Sequence, residues 1–94
     1  MRYRNSVLTA NHISNGLEGI AWFQYDPLAG TSRWTANVIT GTTTAGIYIS
    51  PSDKGGNTRE SFVIERNTVQ PAGGVNMNLK KTTGTYLVQE NTML

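Results

Sequence analysis

Asparagine returns to one place in a seven-residue pattern four times along this chain, and that recurrence limits the folds open to it more than any other feature. The segments are Val7-Leu8-Thr9-Ala10-Asn11-His12-Ile13, Arg33-Trp34-Thr35-Ala36-Asn37-Val38-Ile39, Val63-Ile64-Glu65-Arg66-Asn67-Thr68-Val69 and Leu87-Val88-Gln89-Glu90-Asn91-Thr92-Met93. Three places before the asparagine stand Leu8, Trp34, Ile64 and Val88, and two after it Ile13, Ile39, Val69 and Met93. Polar Thr9, Thr35, Glu65 and Gln89 lie between. Apolar residues alternating with polar ones read as strand with one face inward. The intervals between asparagines, 26, 30 and 24 residues, are too long for a heptad and too irregular for a hexapeptide repeat.

A second strand type follows each of the first three segments: Gly19-Ile20-Ala21-Trp22-Phe23, Gly46-Ile47-Tyr48-Ile49-Ser50 and Gly74-Val75-Asn76-Met77-Asn78. Aligned on glycine, Ile20, Ile47 and Val75 form one inward column and Trp22, Ile49 and Met77 another, with Ala21, Tyr48 and Asn76 facing out. Two registers therefore share one period, with no helical periodicity between them. This predicts an all-β fold, a parallel β-solenoid of about three and a half turns in a single segment over 1–94, with repeats at about 6–32, 33–60, 61–85 and 86–94. Asn11, Asn37, Asn67 and Asn91 are expected to form a structural ladder at a tight turn, because asparagine tolerates left-handed backbone and its amide carries donors and acceptors that copies in successive turns can share.

Composition removes several classes of function. Hydrophobic residues at 37% and charged residues at 15% do not fit a disordered chain, and a net charge of +2 supplies no basic stripe for nucleic acid or an anionic membrane. There is no cysteine and one histidine, so disulfides are excluded and neither a metal nor any other cofactor is expected. The longest apolar runs, Gly19 to Phe23 and Ala45 to Ile49, are far below a membrane span, and no signal-peptide core follows Met1.

The asparagine pattern followed by Gly-Ile or Gly-Val resembles the right-handed parallel β-helix of pectate-lyase-like proteins, which include polysaccharide lyases, mannuronan epimerases and phage tailspikes. The resemblance covers about Ser6 to Leu94. It implies a right-handed solenoid, a polysaccharide partner, a homotrimer or docking onto a longer β-helix chain, and a place in a virion or outside the cell; no catalytic motif of the family matches numbered positions here. Capping segments are lacking at both ends, so the expected context is a segment of a longer solenoid, a piece docking onto one, or a subunit whose ends are covered by oligomerisation.

The longer connections, Tyr25 to Ser32, Pro51 to Glu60 and Lys80 to Thr85, are expected at one corner, with carbohydrate-binding residues there and on the outer face of the glycine strands: Phe23, Tyr25, Arg33, Tyr48, Arg59, Asn76, Asn78 and Lys80. Aromatic faces beside amide and guanidinium donors suit sugar rings; strand propensity and solvated loops account for the same residues without a ligand. Asp26 and Asp53 each lie seven residues beyond an aligned glycine and form the one catalytic pair worth naming, against the plainer reading of two turn aspartates. Any enzyme built on them would be a polysaccharide depolymerase, a lyase or a glycoside hydrolase. His12 reads as a surface residue, and Trp22 and Trp34 as core. Two functions from different classes follow: a polysaccharide-recognising module of a tailspike-like or lyase-like protein, and a structural or oligomerisation segment of a trimeric fibre with no ligand of its own.

Overall fold

A computed structural model describes residues 6–22, 30–50, 60–80 and 84–94. These residues are all-β, with no helix, and every strand pairing is parallel. Each asparagine segment makes two strands meeting at a bend. The first pass of the chain gives β1 (Val7–Thr9), β2 (His12–Ser14) and β3 (Glu18–Trp22), and the second gives β4 (Gly30–Thr35), β5 (Val38–Thr40) and β6 (Ala45–Ile49). The third gives β7 (Glu60–Glu65), β8 (Thr68–Gln70) and β9 (Val75–Leu79), and a partial fourth gives β10 (Tyr86–Gln89) and β11 (Thr92–Met93). Sheet 1 has the order β1-β4-β7-β10, sheet 2 the order β2-β5-β8-β11 and sheet 3 the order β3-β6-β9, so each strand lies beside its counterpart from the next pass.

Alternation decides which side chains face inward. Leu8, Trp34, Ile64 and Val88 stack in sheet 1, and Ile13, Ile39, Val69 and Met93 in sheet 2. Trp22, Trp34 and Phe62 cluster, with Phe62 5.3 Å from each tryptophan ring and Tyr86 stacked on it at 5.6 Å. Trp22, Trp34, Ile39, Ile47, Ile49, Ile64 and Val69 have no exposed surface. Each such side chain contributes about 1.5 to 3 kcal/mol, so this shared core is the main source of stability.

Two sequence expectations require correction. The third glycine strand is shifted by two residues: Met77, not Val75, pairs with Ile47, and Leu79 pairs with Ile49. Val75 is consequently 52% exposed, and the columns run Ile20-Ile47-Met77 and Trp22-Ile49-Leu79. Asn76 then falls level with Gly46 and Gly19. At those glycines a Cβ would run into the side chains of Val69 and Ile39 and lie 2.7 and 2.6 Å from the carbonyl oxygens of Asn76 and Gly46. Alignment on glycine failed because Gly74 serves a turn, where its own Cβ would lie 2.7 Å from the Thr44 carbonyl.

The left-handed residue is also not the asparagine. It is the residue before it, in every pass: Ala10 (φ 57°), Ala36 (57°), Arg66 (54°) and Glu90 (58°). The bend occurs one residue early because the asparagine side chain must already point at its neighbours when the chain enters the next strand. At the second bend Asn15 (62°) and Gly41 (71°) take the same conformation, whereas Pro71, whose ring fixes φ, yields that role to Gly73 (95°).

Candidate functional site

The four asparagines form one continuous column. The Oδ1 of Asn37 accepts from the N–H and Nδ2 of Asn11, both at 3.0 Å; that of Asn67 accepts from the same groups of Asn37, both at 2.9 Å. Asn91 Oδ1 accepts from the N–H and Nδ2 of Asn67 at 2.9 and 3.0 Å. The second Nδ2 hydrogen reaches back to a carbonyl of the preceding pass: Asn37 to Leu8 at 3.1 Å, Asn67 to Trp34 at 2.9 Å and Asn91 to Ile64 at 2.9 Å. In Asn37 and Asn67, with essentially no exposed surface, both amide hydrogens and two acceptor sites are used. The column has a direction: the backbone N–H and one amide hydrogen of each asparagine point toward the next pass, and its oxygen and other amide hydrogen toward the previous one.

The residues expected to bind carbohydrate separate. Tyr48 and Asn78 share one outward column of sheet 3, directly opposite each other on successive passes, with Ala21 on the first. Lys80 follows β9, exposed, its N–H donating to Ile49 O at 2.8 Å and its carbonyl accepting from the Tyr86 hydroxyl. Arg33 is exposed on a different sheet, in the outer column Val7-Arg33-Val63-Leu87 of sheet 1. Asn76 occupies the glycine column rather than the outer face, and its Oδ1 is buried without a hydrogen-bond partner among the described residues. Phe23, Tyr25 and Arg59 lie outside the described residues, as do Asp26 and Asp53.

One polar cluster has no counterpart among the sequence expectations. Ser32 and Glu60, expected at the ends of connections, belong to β4 and β7 and are wholly buried. Trp34 Nε1–H donates to Ser6 Oγ at 3.1 Å, and Ser6 Oγ donates to Ser32 Oγ at 2.8 Å. Ser32 Oγ also accepts from the Ser6 N–H at 3.1 Å and donates to Glu60 Oε2 at 2.5 Å. Gly30 is the register partner of Glu60 in β4, and Gly84 approaches the Glu60 backbone so closely that a Cβ there would lie 2.7 Å from its carbonyl carbon. A lone acid opening an apolar-alternating strand, in register with a glycine, was the available signal. The Ser32 hydroxyl has no exposed surface from which to meet a substrate, so the cluster orders the interior. Among the described residues no group of three His, Asp or Glu side chains is placed to hold a metal ion.

Burial of Tyr86 against Phe62 pushes its phenol up from 10.0 to about 12. On the outer faces, Thr9 and Thr35 hydroxyls lie 3.4 Å apart, Gln89 Nε2 donates to Glu65 Oε2 at 2.6 Å, and Arg66 lies 3.6 Å from Glu65. Set against known protein families, curated proteins and solved structures, the chain matches none.

Proposed function

We propose that this chain is a structural module, a parallel β-helix of about three and a half coils that extends or joins an assembly and carries no ligand of its own. The observation that carries this is the use made of the polar interior: every strand pairs in parallel with its counterpart on the next pass, and the amides of the buried Asn37 and Asn67 are spent on hydrogen bonds between passes. The resemblance to pectate-lyase-like β-helices adds the right-handed sense and the setting, a tailspike-like fibre in a virion or outside the cell.

A second reading, recognition of a polysaccharide, keeps one favourable observation: Tyr48 and Asn78 are register partners on an outward column, with Lys80 close behind in sequence. A ring stacked on Tyr48 would bring its hydroxyls to the Asn78 amide. Glycan-array binding by the wild-type chain and by Tyr48→Ala/Asn78→Ala tests both. No binding by either protein is the expected result; binding by the wild type that the double substitution abolishes would overturn the structural reading.

A further inference from the structure

Asparagine is chemically labile because its side chain can react with its own backbone. The nitrogen of the following residue bonds to Cγ, the Cγ–Nδ2 bond breaks, and the displaced amide takes the proton of the attacking N–H and leaves as ammonia. Water from the solvent then opens the resulting succinimide at either carbonyl, giving aspartate or isoaspartate. The reaction needs an exposed side-chain amide, a following N–H that no acceptor holds, and a following residue without bulk.

The asparagine column meets none of these needs at its covered levels. After Asn37, Asn67 and Asn91 the attacking nitrogens would be those of Val38, Thr68 and Thr92, and their N–H groups donate to Asn11 O, Asn37 O and Asn67 O, each at 2.8 Å. The Nδ2 groups of Asn37 and Asn67 are spent twice over, on the next asparagine and on a carbonyl of the previous pass. All three following residues are also branched at Cβ. Asn11 gives its Nδ2 to Asn37 and is followed by the imidazole of His12. Asn76 and Asn78 lie inside β9, each followed by a half-buried long side chain, Met77 or Leu79. Asn5 and Asn57 lie outside the described residues.

Asn15-Gly16, at the bend between β2 and β3, is different on every count. Both residues are exposed, and the following residue has no side chain. The backbone is pinned on either side of the reacting pair: Asn15 N–H donates to Thr40 O at 3.0 Å, and Gly16 O accepts from Thr43 N–H at 3.1 Å. Between these anchors neither the Gly16 N–H nor the Asn15 amide has a hydrogen-bond partner among the described residues. The open N–H belongs to the bend itself. One pass on, Thr42 stands level with Gly16 and has a pass on each side of it, and its N–H has no acceptor among the described residues either. The Asn15 side chain leans toward the second pass, where a Cβ at Gly41 would run into its Oδ1.

We infer that Asn15-Gly16 is a modification site, at which the folded chain deamidates through a succinimide while the asparagine column is preserved. This goes beyond the structural reading above and does not depend on it. Either product lowers the net charge from +2 by one. Isoaspartate does more, because it routes the main chain through Cγ and lengthens the link between the Thr40 and Thr43 anchors.

The test is peptide mapping by mass spectrometry, with isoaspartate-specific methylation, on the chain incubated folded and urea-unfolded in mildly alkaline buffer. In the folded chain, conversion is expected at Asn15 and not at Asn11, Asn37, Asn67 or Asn91, at a rate within a few-fold of that in urea. Gly16→Ala should slow it by about tenfold or more even in urea, where the turn no longer matters, because the added side chain crowds the attacking nitrogen. A folded rate at Asn15 more than about tenfold below the unfolded one would overturn the proposal, since the fold would then guard this site as well. So would conversion of the column asparagines as fast as Asn15 in the folded chain. The isoaspartate form, separated by ion exchange, should melt below Asn15→Asp, which carries the same charge on an unlengthened backbone; equal melting would overturn the effect assigned to the bend.

Discussion

Asn37 and Asn67 are joined by two hydrogen bonds into one oxygen: the N–H and the Nδ2 of Asn37 both donate to Asn67 Oδ1 at 2.9 Å. Asn67 in turn gives its own N–H and Nδ2 to Asn91 Oδ1 and its other amide hydrogen to Trp34 O. Removing the Asn67 side chain therefore strips partners from groups on both neighbouring passes. A buried group left unpaired costs about 1 to 3 kcal/mol, so Asn67→Ala should lower stability by about 3 kcal/mol in urea unfolding. Asn11→Ala, at an exposed end where one side-chain hydrogen bond is lost, should cost about 1 kcal/mol. Equal losses at the two positions would show that the column is not cooperative along its length.

The residue before the asparagine invites the opposite substitution. Ala36 is exposed at φ 57°, a conformation that costs a side-chain-bearing residue about 1 to 2 kcal/mol and glycine nothing. Glycine's extra freedom in the unfolded chain returns part of that gain, so Ala36→Gly should raise stability by about 0.5 to 1 kcal/mol. Asn37→Gly, one residue on, should be strongly destabilising. Thermal melts of the two variants locate the left-handed bend, and reversal of their order would place it on the asparagine.

This pair also shows what could be read from the sequence. Alternation around Asn11, Asn37, Asn67 and Asn91 gave the parallel strands, their spacing and their inward residues, because apolar burial and period-two geometry leave few alternatives. The left-handed position was hidden because Ala10, Ala36, Arg66 and Glu90 share no side-chain chemistry: the bend selects backbone geometry, and asparagine attracts attention through its amide. Val75 was placed inward and Asn76 outward because Gly74 resembles Gly19 and Gly46 in type while serving a turn. Of the candidate site, Tyr48 and Asn78 could be placed on the outer face from alternation, whereas Arg33, already in an asparagine segment, was joined to them only by the expectation of a shared corner, which the local pattern does not test. Ser32 and Glu60 were hidden because a buried carboxylate contradicts the expectation that a charged residue beside a long connection is solvated.

Ser32 is the hinge of that buried cluster. Its hydroxyl accepts from both the N–H and the Oγ of Ser6 and donates to Glu60 Oε2. Ser32→Ala should cost about 2 to 3 kcal/mol, because it leaves Glu60 in the interior with one donor fewer and frees the Ser6 N–H. Combining it with Glu60→Gln should cost less than the sum of the two single changes, since both act on the one Ser32–Glu60 hydrogen bond. A double-mutant cycle measures the difference, and strict additivity would show that Ser32 and Glu60 do not depend on each other.

Asn76 stands where Gly19 and Gly46 stand on earlier passes, and its Oδ1 is buried without a partner among the described residues. Asn76→Gly removes that acceptor and restores the glycine column, against a backbone penalty of about 0.5 to 1 kcal/mol. A net stabilisation of about 1 kcal/mol is expected in urea unfolding. Asn78→Gly, on the outward column, should instead be mildly destabilising. If Asn76→Gly lowers stability as much as Asn78→Gly does, the buried amide contributes a favourable contact and the glycine column imposes no requirement at this level.

Tyr86 links stability to pH in the alkaline range. Its phenol is raised from 10.0 to about 12 by burial, and its hydroxyl donates to the Lys80 carbonyl. An acid whose folded pKa lies above its unfolded one is held in the protonated form by folding. The stabilisation is therefore complete below pH 10 and is lost as pH rises from 10 to about 12, where the unfolded chain ionises first. Because this side chain is only partly buried, solvent screening makes the effect smaller than the shift alone would give. Wild-type melting temperature should thus fall more steeply across that interval than that of Tyr86→Phe, which retains the ring on Phe62 and has no proton to lose. Tyrosinate absorbance of the folded chain should contain a late component, and Tyr86→Phe should remove it. Parallel melting curves for the two proteins, or a late component that survives the substitution, would mean that the buried phenol belongs to another residue.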